Sequence, residues 1–70
     1  MARKSMEIGK LNNRQSLVAI LNENNEIVEY VVCSYYTPSR PFGSQWDWGH
    51  YFVNLKDACD YIATEVDRED

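Results

Sequence analysis

Hydrophobic and polar positions along this chain fall into two rhythms. Residues 16–22 (SLVAILN) and 26–36 (EIVEYVVCSYY) are rich in branched and aromatic side chains, the composition of strands. The asparagines and glutamates at 22–26 separate them, and asparagine tolerates the left-handed backbone of tight turns, so the pair reads as an antiparallel hairpin. Residues 46–53 (WDWGHYFV) read as a third strand. The intervening 37–45 (TPSRPFGSQ) holds both prolines and one glycine, the makings of an irregular loop.

The rhythm then changes to helical. Leu55, Ala58, Cys59, Ile62 and Val66 recur at i, i+3, i+4, i+7 and i+11, an apolar stripe on a helix over 55–66. Asn54 is a fitting N-cap, Asp57 sits where a capping box places an acid, and Val53 with Ala58 occupy the positions of a hydrophobic staple. The fold class expected is α+β: a three-stranded antiparallel sheet in β-β-β-α order with the C-terminal helix on one face. Residues 1–14 read as a mobile basic arm, with a possible extra short strand at residues 6–8. Residues 15–66 form one small domain, and 67–70 a frayed acidic tail. The β-β-β-α order is common among small α+β modules, and no motif here ties it to a family.

Alternation within strands raises a problem of coverage. Strict period 2 puts Trp46, Trp48, His50 and Phe52 on one side and Asp47, Gly49, Tyr51 and Val53 on the other. Neither face of the sheet is plainly polar, whereas a half-solvated antiparallel sheet alternates cleanly. One helix of this length roofs one face. The staple and the small Gly49 put it over Gly49, Tyr51 and Val53; the converse, with the tryptophans as core, stays open. The second face then needs the arm, the 37–45 loop with Phe42, or a second protein molecule. The reading taken is a protein partner or homodimer held by Trp46, Trp48, His50, Phe52, Tyr35 and Tyr36, with Arg40 and Phe42 from the loop, since Trp, Tyr and Arg dominate binding energy at interfaces.

Charge modifies the picture modestly. The net charge is −4, but Arg3, Lys4, Lys10 and Arg14 against Glu7 give residues 1–14 a balance of +3, and the remainder carries −7. So acidic a domain repels phosphate backbones, which disfavours nucleic acid except through the arm. That arm carries one alternative, a nucleic-acid accessory factor. A second alternative, an acidic DNA-mimic inhibitor, rests on Glu23, Glu26, Glu29, Asp57, Asp60 and Glu65. Apolar runs are too short to span a membrane and residues 1–14 lack the apolar stretch of a secretory signal, so the cytoplasm is the expected compartment.

Chemistry-bearing residues are few. The lone His50 lacks an evident orienting acid, because Asp47 alternates to the other side of the strand. Cys33 and Cys59 are 26 apart, without the spacing of a metal or redox site, and read as two free, partly buried thiols. Glycines at 9, 43 and 49 make no phosphate loop. The expectation is a non-enzyme without cofactor or metal.

Overall fold

The computed structural model describes residues 3–66; the expected frayed tail at 67–70 lies outside the described residues. Four strands and one helix follow in order: β1 (Lys4–Lys10), β2 (Gln15–Leu21), β3 (Ile27–Ser34), β4 (Trp48–Phe52) and α1 (Leu55–Glu65). The strands make one antiparallel sheet in the order β1-β2-β3-β4, each paired with its neighbour in sequence. The α+β class and the C-terminal helix are as expected, and the possible extra strand at residues 6–8 is present as a full fourth strand over Lys4–Lys10. Residues 4–10, read as part of a mobile arm, pair with β2 from Lys4↔Leu21 to Lys10↔Ser16.

Local chemistry explains both hairpins. In the β2–β3 turn the Asn22 side chain accepts from the amides of Asn24 (2.9 Å) and Glu26 (3.0 Å), while Asn25 takes the left-handed φ of 64°. The β1–β2 turn is built alike. Asn12 Oδ1 accepts from the amides of Arg14 (2.9 Å) and Gln15 (2.8 Å), and Leu11 tucks into the core below.

The central strands β2 and β3 are buried on both faces, by different means, while Met6 and Ile8 of β1 stay exposed. On one face Leu11, Leu17 and Val32 meet Ala58, Ile62 and Val66 from the helix end of the chain, with Tyr30, Phe52 and Tyr61 packed around them. On the other, Val18, Ile20, Val31 and Cys33 are covered by Val28, Tyr36 and Trp46. Each fully buried valine contributes on the order of 1.5–3 kcal/mol, and Val18, Val31 and Val32 are completely inaccessible.

This arrangement corrects the placement of the helix. α1 lies over the His50/Phe52 face: the Tyr61 ring stacks on His50 at 4.4 Å and meets Phe52 at 5.4 Å. The staple that argued for the opposite face does not form, because Val53 is 79% exposed. The cap does form, with Asn54 Oδ1 accepting from the Asp57 amide at 2.9 Å. The apolar stripe is also narrower than expected. Ala58, Ile62 and Val66 are buried and Tyr61 half-buried, while Leu55 and Cys59 face outward. The helix lies across β3 and β4 rather than the whole sheet, so residues at its flank lose their cover.

Candidate functional site

The eight residues expected to hold a partner do not share one face. β4 begins at Trp48, and the chain enters it irregularly: the Asp47 amide donates to Ser34 O at 3.1 Å. The period-2 rule therefore fails before residue 48, and Trp46 lies on the side opposite to Trp48, His50 and Phe52. There Trp46 faces Tyr36 (6.2 Å), Phe42 edge-on (6.1 Å) and Tyr51 (6.2 Å), and its Nε1–H donates to Tyr51 Oη at 3.0 Å.

Gly49 makes room for that indole, not for the helix. A Cβ built on Gly49 would stand 2.8 Å from Trp46 Nε1 and 2.9 Å from Val31 Cγ2. The second face is thus covered by the chain's own 35–47 segment, with Phe42 of the loop against Trp46 as one of the expected covers.

Polar staples hold this segment down. Gln45 is buried; its Nε2 donates to the carbonyls of Pro38 (3.0 Å) and Arg40 (2.8 Å), and its Oε1 accepts from Ser5 Oγ on β1. Because the Ser5 proton is directed to Gln45, the Tyr36 hydroxyl donates to Ser5 Oγ at 2.8 Å. The Thr37 amide closes the loop on Gln45 O at 2.6 Å.

On the helix face β4 carries a second aromatic row. Trp48 and His50 are 6.1 Å apart, and His50 stacks on Phe52 at 5.0 Å. Five aromatic residues of the 46–52 stretch and Tyr61 therefore flank one outer strand from both sides. The strand's own exposed rings are Trp48 (45%), His50 and Tyr51 (51%), and Val53 and Leu55 continue the apolar surface past its end. Arg40 is exposed on the loop, whereas Tyr35 sits apart from β4, beside the β1–β2 turn.

The two sheet edges differ. β1 carries Lys4, Glu7 and Lys10 and a register shift between Glu7 and Gly9, the charges and bulge that blunt an edge against further pairing. β4 reads WGHYF, with no formal charge, proline or bulge. Sequence reasoning found the aromatics of this strand but missed that it is an edge, which needs the strand order.

The polar chemistry is sparse. His50 pairs with Val32 on the helix face, while Cys33 belongs to the opposite core, so the sheet separates imidazole from thiol. Burial, then the nearby Glu7 carboxylate, pushes the Cys33 thiol up to about 12. Cys59 is exposed, and both cysteines are free. Among the described residues no group of three or more His, Cys, Asp or Glu side chains converges on a metal position, and no helix is long and apolar enough to cross a membrane. In comparisons with known proteins, no family model, curated protein or solved structure matches this chain.

Proposed function

We propose that the protein is a non-catalytic protein-binding module that takes up an extended strand, from another protein or a second copy of itself, along the β4 edge. The observation that carries this reading is the contrast between the edges: β1 is charged and bulged, while β4 is uncharged, regular and lined by exposed rings on both sides. Strand addition supplies main-chain hydrogen bonds, and flanking side chains supply specificity. Trp48 on one face and Tyr51 on the other are placed to grip alternate side chains of such a strand. Phe42 and Arg40 would contact its flank.

The 35–47 segment covers the second sheet face, so a partner is supported by the β4 edge and not by a bare face. The alternative through the basic arm is less supported than the sequence suggested. Residues 4–10 lie in the sheet, and Arg3 Nη1 is 3.4 Å from Glu29 Oε1. The acid-surface alternative gains nothing specific, with Asp60 and Glu29 each engaged by a cation.

Sedimentation equilibrium from micromolar to millimolar protein tests self-pairing, and a displayed library of extended peptides tests a foreign strand. Trp48→Lys puts a charge on the edge at an exposed site. It is expected to weaken either association by at least about tenfold while leaving the fold intact. A strictly monomeric protein that selects no peptide perturbing the β4 amides ends the reading.

A further inference from the structure

At the far end of the second face a recess of about 350 Å³ opens between the β1–β2 turn and the start of the 35–47 segment. Glu7, Lys10, Arg14, Ser16, Tyr35 and Tyr36 supply its chemistry. We propose that this recess binds a nucleoside monophosphate or a phosphomonoester of similar size bearing a flat ring. The proposal stands independently of the β4 edge.

Charge is the first ground. Among the described residues the ion pairs are Arg3–Glu29 and Lys56–Asp60, so Lys10 and Arg14 enter the recess without a carboxylate at bonding distance. With Glu7 included, the recess carries +1 in a chain of net charge −4. A guanidinium fork beside an ammonium matches the oxygens of a phosphate, the fork binding two of them at once.

Preorganisation is the second ground. The Asn12 side chain and the amides of Leu11 and Asn12, both donating to Gln15 O, fix the turn that carries Arg14. The Tyr35 amide donates to Arg14 O at 2.7 Å, tying the two walls together. Tyr36 is anchored through its hydroxyl to Ser5. Walls held this way lose little freedom on binding.

Tyr35 itself is the third ground. Its φ of +55° is left-handed, a conformation costly for a bulky residue and free for glycine. If position 35 served only to turn the chain, glycine would do it without strain. The ring is instead held 57% exposed at the rim of the recess, where a planar group can lie against it. On the β1 side, the buried Ser16 Oγ donates to Glu7 Oε2 at 2.6 Å, which aims the exposed carboxylate. Its Oε1 makes no hydrogen bond among the described residues and is left to accept from a ligand hydroxyl or amino group. The volume lies at the lower end of small-ligand sites, roughly 300–1,000 Å³, and bare phosphate would leave most of it empty.

The test is an amide-resolved NMR titration of the whole chain with AMP, adenosine and inorganic phosphate, each to roughly 10 mM, a range set by weak single-site binding. AMP is expected to give saturable shifts at Lys10, Arg14 and Tyr35, with adenosine and phosphate each at least about tenfold weaker. Arg14→Gln and Lys10→Gln, both at exposed side chains, should each weaken AMP by about tenfold. Tyr35→Gly should weaken it similarly while leaving the thermal midpoint unchanged or raised, which a merely structural tyrosine would not do. Saturable binding absent for all three probes, shifts confined to another surface, equal affinity for phosphate and AMP, or AMP binding indifferent to Arg14→Gln would each overturn the proposal.

Discussion

Replacing Gly49 with alanine isolates the contact on which cover of the second face depends. The added Cβ would meet Trp46 Nε1 at 2.8 Å and Val31 Cγ2 at 2.9 Å, against 3.4–4 Å for ordinary contact. Neither neighbour yields easily. Val31 is completely buried and branched at Cβ, and Trp46 is wedged between Tyr36, Phe42 and Tyr51. Overpacking of this kind costs about 1–3 kcal/mol. Alanine's smaller loss of backbone entropy offsets roughly 0.5–1 kcal/mol of that. The net expectation is a loss of up to about 2.5 kcal/mol, centred slightly above about 1 kcal/mol, or roughly 5–10 °C in midpoint at that centre for a domain this size.

Urea denaturation measures the loss, and indole fluorescence in a Trp48→Phe background reports on Trp46 alone. Gly49→Ala should shift that emission to longer wavelength as the ring is displaced and its bond to Tyr51 breaks. In a Trp46→Ala background much of the penalty should vanish, a coupling between neighbours that a double-mutant cycle reads directly. Unchanged stability with unchanged emission, or an identical penalty without the indole, would refute the view that Gly49 exists for Trp46.

Two further expectations concern the same face. Gln45→Ala leaves the carbonyls of Pro38 and Arg40 and the Ser5 hydroxyl without their partner, so it should cost about 1–3 kcal/mol, with hydrogen exchange rising first across residues 37–47. The thiols should behave unequally. Cys59 is exposed and should label at pH 8, whereas Cys33, buried and pushed up to about 12, should label only after unfolding. A raised thiol pKa means that the folded state holds its proton more tightly. The associated stability is therefore complete below the unfolded-state value near 9 and declines as pH climbs towards 12, which alkaline denaturation of a Cys33→Ser variant against the parent would check.

How far the candidate site could be read in advance follows from the range of each signal. The interaction residues were visible as a run of rings, but their division between two faces was not. Alternation holds only while the strand is regular, and one irregular step at Asp47 sends Trp46 to the other side. Lys10 and Arg14 read as scattered charges because nothing local says that Tyr35, more than 20 positions on, closes beside them.

Short-range physics is written in the chain itself. Branched runs and asparagine turns specify the β2–β3 hairpin, and Asn54 with the helical spacing of Ala58 and Ile62 specifies α1 and its cap. Those features arise between residues a few positions apart, so their energetics barely depend on the rest of the fold. The full pairing of Lys4–Lys10 along β2, the helix's choice of face, the loop that roofs Val31 and Cys33, and the open edge at β4 were decided by tertiary structure. Each is a competition for the same apolar surface between segments distant in sequence, and the winner is set by fit: an indole over a glycine, a phenol ring stacked on His50.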